Sequence, residues 1–247
     1  MSKPVVLFHV SDIHFGYENR AALDWFAAEV EREKPDWVLC TGDLTMRGNA
    51  REFAAASRWL AALAAPVAVD IGNHDVPYYW YLFARIFRPY RRFARLAAEV
   101  GRPTKLADIG VVPLRTVAAF QWRLNMSKGH VAHGDLDEAL RGLSHLTDKG
   151  LKLVTCHHPL VEADTQGTAS TRHGTQALTA LAHGGADAVL SGHVHDPFDI
   201  TVECDGQPIR LIGAGTLSQR LRATRPSFNR LEWARETGLA VTVRRLD

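Results

Sequence analysis

Cysteine is scarce. Three residues, at 40, 156 and 204, are all that 247 positions hold, and no two form a C-x-x-C pair. An odd number without paired spacing argues against a disulfide framework and against a thiolate zinc site. Cys40 and Cys156 close apolar runs and read as small buried hydrophobes. Charge of one sign is lacking as well, since 29 basic and 27 acidic residues leave a net charge of +2. That balance carries no global attraction for nucleic acid or a membrane. Long apolar runs are also missing. The longest, residues 60–69, contains Pro66 and is far shorter than a membrane span. The N-terminal apolar run, Val5 to Val10, is interrupted by a histidine and too short for a signal-peptide core. Together these absences predict a soluble, cytoplasmic chain in a reducing compartment.

What is present is a repeated order of elements. VVLFHV (5–10) precedes SDIHFG and a helical pattern over Ala21–Glu33. DWVLC (36–40) precedes TGDLT and the alanine-rich stretch 50–64, and PVAVDI (66–71) precedes GNHD. LKLVTC (151–156) precedes HHPL, and DAVL (187–190) precedes SGHVH. Continuous apolar runs of this length suit strands covered on both faces, with helices as crossovers. The fold class is therefore α/β. Beyond residue 197 the pattern changes. Asp205-Gly206 separates two alternating runs, a hairpin signal, and FNRLEW and LAVTVRRL flank a second turn. A two-sheet sandwich with helices outside accommodates both halves within one domain. Its C-terminal part, about 197–247, is rich in hairpins.

Residues 78–100 stand apart, combining aromatics with Arg85, Arg88, Arg91, Arg92 and Arg95, and Pro89 interrupts their helical pattern. They read as a cap-like insertion, about 77–103. The simpler reading is an amphipathic helix with its aromatics inward and its arginines solvated. The alternative is a cap that grips a nucleotide or lipid phosphate and touches a membrane surface through residues 78–95.

Five groups of metal-ligand side chains each follow a strand-like run. They are Asp12-x-His14, Gly42-Asp43, Gly72-Asn73-His74-Asp75, His157 or His158, and Gly192-His193-x-His195. Sites in α/β sheets form beyond the carboxyl ends of strands, so five loops would meet in one place. In extended chain, residues i and i+2 point the same way, which would let Asp12 with His14, and His193 with His195, each supply two ligands. The glycines at 42, 72 and 192 would allow sharp turns beside the site. Imidazole, carboxylate and amide oxygen without thiolate favour first-row divalent ions over calcium. Seven ligands suit two ions sharing a carboxylate, roughly 3.5–4 Å apart. Each group alone is weak: a D-x-H pair, a turn at Gly-Asp or a capping GNHD is common. Their order is what is informative.

That order, D-x-H, GD, GNHD, H, GHxH, resembles the calcineurin-like metallophosphoesterase superfamily. It is most similar to the members that include class III cyclic-nucleotide phosphodiesterases. The resemblance implies a four-layer αββα sandwich of two mixed sheets flanked by helices, with the hairpin-rich tail as part of the second sheet. It implies that Asp12, His14, Asp43 and His195 hold one divalent ion, and that Asn73, His157 and His193, with Asp43 bridging, hold the second; Mn, Fe and Zn are the expected metals. His74 would stand beside the phosphate as hydrogen-bond donor or general acid, with Asp75 orienting it. Met46 occupies a position where relatives often carry a polar residue. The implied reaction is phosphodiester hydrolysis by a metal-bridging hydroxide.

Outside these motifs, Arg47 is a candidate contact for a substrate phosphate. Arg220, Arg222 and Arg225 read as solvated charge or as phosphate contacts. His9 reads as core, His173 and His183 as solvent-facing, and His130 and His133 as loop histidines able to approach the site. His157 is the ligand by the resemblance, His158 a supporting residue, and Cys156 faces the core. The expected partner is a small phosphoester, nucleotide-like or a nucleotide-lipid. The competing readings are a UDP-diacylglucosamine pyrophosphohydrolase of lipid A synthesis, a phosphomonoesterase or nuclease, and a binding scaffold without catalysis. Oligomeric state is not legible.

Overall fold

The structure, a computed structural model, describes residues 3–78, 81–101, 106, 108–120, 125, 127–146 and 150–247. The five apolar runs form β1 (Val5–Val10), β2 (Trp37–Cys40), β3 (Val67–Val69), β5 (Leu151–Thr155) and β6 (Ala188–Ser191), and β4 (Ile109–Pro113) joins them. Two hairpins follow, β7 (Phe198–Cys204) with β8 (Gln207–Gly213), and β9 (Ser227–Ala234) with β10 (Gly238–Arg245). Asp205 and Gly206 turn the first at φ 51° and 82°, the conformation that favours Asp-Gly in two-residue turns. The helices are α1 (Arg20–Glu33), α2 (Ala50–Ala61), α3 (Leu82–Phe87), α4 (Arg91–Val100), α5 (His133–Ser144) and α6 (Gly174–His183). Asn19 and Asn49 cap α1 and α2 by accepting from Ala22 and Glu52 N–H.

The strands make two mixed sheets of five, ordered β10-β9-β1-β2-β3 and β4-β5-β6-β8-β7. β1, β2 and β3 run parallel, as do β4, β5, β6 and β8; β9, β10 and β7 pair antiparallel. Side-chain alternation then dictates four layers. In β1 and β2, Phe8, Val10, Val38 and Cys40 face α1, α2 and α4, while Leu7, Trp37 and Leu39 face the other sheet. In the second sheet, Leu153, Leu190 and Ile212 meet that inner face, while Val154, Val189 and Leu211 pack under α5 and α6. Three apolar cores thus separate four layers, the expected αββα sandwich. His9 alternates with Leu7 into the space between the sheets. It is fully buried, held by Thr41 Oγ1 at 3.0 Å and Asn229 Nδ2 at 3.3 Å, and burial pushes its imidazole down to about 3.

Two expectations are corrected. The C-terminal hairpins do not build one sheet together. β7–β8 extends the second sheet, and β9–β10 returns to the edge of β1, because β9 pairs with β1 from Val5↔Trp233 to His9↔Asn229. The arginine-rich segment also divides. Pro89 separates α3 from α4, as a residue without an N–H must. α4 conforms to the inward-aromatic reading: Leu96, Phe93, Ala97 and Val100 pack on the α1–α2 core. α3 reverses it, presenting Phe83 and Phe87 outward and burying Arg85. Tyr79, Trp80 and residues 102–103 of this segment lie outside the described residues. Among the described residues, no helix is long and apolar enough to cross a membrane. Leu153, fully buried between the sheets, tests the inner core: Leu153→Ala is expected to destabilise by about 2–5 kcal/mol in denaturant titrations.

Candidate metal centre

The loops after β1, β2, β3, β5 and β6 converge where the two sheets present their carboxyl edges. The first two are laced together, Asp12 N–H donating to Gly42 O and His14 N–H to Asp43 O. The expected i, i+2 alternation is not how the paired ligands come together. Asp12, His14, Asp43, His193 and His195 all have left-handed backbone, with φ of 56°, 50°, 53°, 68° and 61°. Asp and His are among the few side chains that tolerate this region, at roughly 1–3 kcal/mol each. The turn at both members of a pair, not extension between them, aims both side chains inward. Gly72 is required for a different reason than a turn. Its φ is −101°, but a Cβ there would overlap Asp43's backbone nitrogen and Oδ1.

Tautomers follow from the partners. A carbonyl only accepts, so an Nδ1 against one must carry the proton. His14 Nδ1 faces Thr45 O at 3.3 Å, His157 Nδ1 faces Thr41 O at 2.8 Å, and His195 Nδ1 faces Arg220 O at 2.6 Å. All three therefore turn Nε2 lone pairs inward. His14 Nε2 and His195 Nε2 lie 3.3 Å apart, and Asp12 Oδ1 is 3.6 and 3.0 Å from them. Asp12 Oδ1 is buried without a hydrogen-bond partner. Buried lone pairs aimed at one point repel unless a cation lies among them, so these residues fit a metal ion. A second group repeats the arrangement, with Asn73 Oδ1 3.1 Å from both His157 Nε2 and His193 Nδ1.

Asp43 joins the groups. Its Oδ1 accepts from His74 N–H at 2.8 Å, and its Oδ2 is 3.7 Å from His14 Nε2 and 3.4 Å from His157 Nε2. Burial alone would raise the carboxyls of Asp12 and Asp43. Positive charge beside them, foremost on His195 next to Asp12 and on His157 next to Asp43 when those rings are protonated, outweighs burial and holds both below the usual carboxylate range. With the rings neutral and Nε2 inward, that charge falls to a cation. His158 is nearby, its ring centroid 4.8 Å from that of His157. Both its nitrogens are engaged, however, Nδ1 with Thr116 Oγ1 at 3.0 Å and Nε2 with Ser127 O at 2.9 Å. Burial, then His157, pushes its imidazole down to about 3. Cys156 packs into the core under α5 and α6.

His74 is oriented by an unexpected partner. Its Nδ1 donates to Met46 O at 2.7 Å, so Met46 meets His74 through its backbone carbonyl. Asp75 does not hold the His74 ring. Its carboxylate accepts from Leu44 N–H, Thr45 N–H, Thr45 Oγ1 and Gly72 N–H, which ties the loop after β2 to the loop after β3. Burial, then the charge of Asp43, pushes this carboxyl up to about 6.

The groups open onto a polar cavity of about 230 Å³. Asp43, Asn73, His74, His193 and His195 form its floor, and Lys128, Gln166, Thr168, Arg220 and Arg222 are on its walls. Arg47 is exposed and outside this lining; its backbone N–H donates to Glu52. Arg220, from the β8–β9 loop and expected as solvated charge or a phosphate contact, lines the cavity. Its Nη1 donates to His74 Nε2 at 2.9 Å while its carbonyl holds His195. Only its place two residues past GTLS hinted at this. Arg225 and His183 are exposed. His130, His133 and His173 gather beside the start of α5, with ring centroids 5.4–5.7 Å apart, and line no part of the cavity.

A model of the calcineurin-like phosphoesterase family matches residues 5–197, and the chain belongs to that family. It is a metal-dependent phosphoester hydrolase. A Synechococcus "probable cyclic nucleotide phosphodiesterase" is 23% identical over 203 residues, 76% of this chain and 72% of its own. The 3',5'-cyclic adenosine monophosphate phosphodiesterase CpdA of Pseudomonas aeruginosa is 25% identical over 208 residues, 79% of this chain and 71% of its own. A dimetal phosphatase from Danio rerio shares the fold, with a TM-score of 0.68 at 14% identity over 98% of this chain and 99% of its own. Asp75→Ala would orphan three buried backbone donors, each worth about 1–3 kcal/mol. A lowered melting temperature and reduced turnover are expected together, with Asp75→Asn recovering part of both.

Proposed function

We propose that this site hydrolyses a small phosphodiester, nucleotide-like in size, using two divalent ions. Asp12, His14, Asp43 and His195 would hold one, and Asp43, Asn73, His157 and His193 the other. The observation that carries the reading is the single oxygen, Asp43 Oδ2, facing a histidine of each group at 3.7 and 3.4 Å. Manganese, iron or zinc suits these nitrogen and oxygen donors. Such ions, when bound, polarise phosphoryl oxygens and acidify water. The names of the two curated relatives favour a cyclic nucleotide diester as substrate.

The chain's own part is positioning and charge. Asn73, His193 and Asp43 are fixed by their loops, so little reorganises as charge develops. Lys128, Arg220 and Arg222 line the cavity and would neutralise the substrate phosphate. Water oxygen bonds to phosphorus, the P–O ester bond breaks, and the departing alkoxide takes a proton. In the arrangement seen, His74 Nε2 accepts from Arg220. The N–H offered to the phosphate or leaving oxygen is therefore that of Arg220, and His74 acts as donor only after gaining a proton itself.

Three measurements test this. Elemental analysis should find metal lost in His157→Ala and largely retained in His158→Ala; the reverse would shift the ligand register by one. A metal-loaded screen should cleave a bis-aryl phosphodiester and cyclic AMP faster than an aryl monoester; a strong monoester preference overturns the diesterase reading. Arg220→Gln is expected to lower kcat/KM on the diester about 100-fold, the scale for removing one transition-state donor, with metal content unchanged.

A further inference from the structure

Among the described residues, the outward face of α3, with Tyr81 beside it, gathers most of the exposed large apolar side chains, and the chemistry leaves it unused. Leu82, Phe83, Ile86 and Phe87 fall at i, i+1, i+4 and i+5, one side of a helix. They are 59%, 76%, 56% and 65% exposed, and Tyr81 beside them is 52% exposed. Phe83 and Phe87 stack on each other with centroids 4.6 Å apart rather than on the body of the protein. The helix cannot roll to hide this face, because Arg85 on its opposite side is buried and donates to Pro77 O at 2.7 Å. Isolated exposed apolar residues are ordinary, but five adjoining large ones mark a contact surface.

Charge identifies what the surface contacts. Residues 81–101 hold five arginines and one glutamate, a charge of +4. The whole chain carries +2, so everything else sums to −2. Arg85 turns away to Pro77 O, and the exposed Arg88, Arg91 and Arg95 keep positive charge beside the apolar face. Arg88, Arg91 and Arg95 border a groove of about 600 Å³ between α2, α3 and α4, and Phe53, Phe83 and Leu96 line it as well. Apolar residues flanked by guanidinium groups match the boundary between acyl chains and anionic headgroups. A second copy would bring a like charge of +4 against the first, and a nucleic acid would leave the phenylalanines wet.

We propose that α3 and the arginines of α4 dock this enzyme onto an anionic lipid surface. The proposal is independent of the substrate, since none of these residues lines the catalytic cavity.

The test uses the full chain in co-sedimentation with vesicles of phosphatidylcholine alone and of phosphatidylcholine with phosphatidylglycerol in equal parts. Binding is expected only to the anionic vesicles, weakening as salt is raised. Phe83→Ser with Phe87→Ser, and separately Arg88→Glu with Arg91→Glu, should each weaken partitioning about tenfold or more. Melting temperature and turnover of a soluble diester should stay at wild-type values. Where a double variant does not fold, Phe83→Ser or Arg91→Glu alone replaces it, with a smaller loss expected. Wild-type protein left in the supernatant, or variants that bind as well as wild type, overturns the proposal. So does a dimer in analytical ultracentrifugation that Phe83→Ser abolishes, which would make a second copy the occupant.

Discussion

Buried imidazole lone pairs that face one another, with a carboxylate oxygen between them, constrain everything around the site. Such an arrangement persists only if each ring is prevented from turning its N–H inward. Three backbone carbonyls, of Thr41, Thr45 and Arg220, do this. They belong to the loops after β2 and β8, while the rings they hold come from the loops after β1, β5 and β6. Each of these three rings is thus held by a loop other than its own. The order of strands across both sheets is therefore part of the chemistry.

Asp75 shows how the second tier of this arrangement works. It lies too far back to meet a substrate, yet four donors from two loops end on it. It fixes the distance between Asp43 and His74, and Gly72 permits the close approach by having no side chain. A carboxylate buried among donors and another buried in front of imidazoles sit side by side with opposed proton affinities. That separation follows from environment alone, since both are aspartates.

The ligand types, their order and the strand-loop rhythm were legible in the sequence because each motif is local and follows an apolar run. The helix-covered two-sheet arrangement was legible because continuous apolar runs need cover on both faces and the tail switches to hairpins; the four-layer αββα form came from the resemblance. Three things were not. The left-handed backbone at five ligand positions is invisible to residue type, since extended chain predicts the same side-chain convergence. The contact of Arg220 with His74 was not legible because the two lie 146 positions apart in sequence. The face of α3 was misread because an aromatic-arginine alternation fits a helix with either side inward. Burial of Arg85 against Pro77 O decides it, and that contact is tertiary.

The backbone at Asp12, His14, Asp43, His193 and His195 has a consequence for how such a centre can change over generations. A side chain there answers to two independent demands, donor chemistry and tolerance of positive φ. Glycine, asparagine and, to a lesser degree, aspartate and histidine meet the second. A descendant that abandons catalysis can therefore drift easily to Asn or Gly at these positions, whereas valine, isoleucine or threonine would distort the loops themselves. The scaffold outlives its ions only along that narrow route, so a silenced copy of this enzyme would keep a recognisable trace of the centre in its small and amide residues.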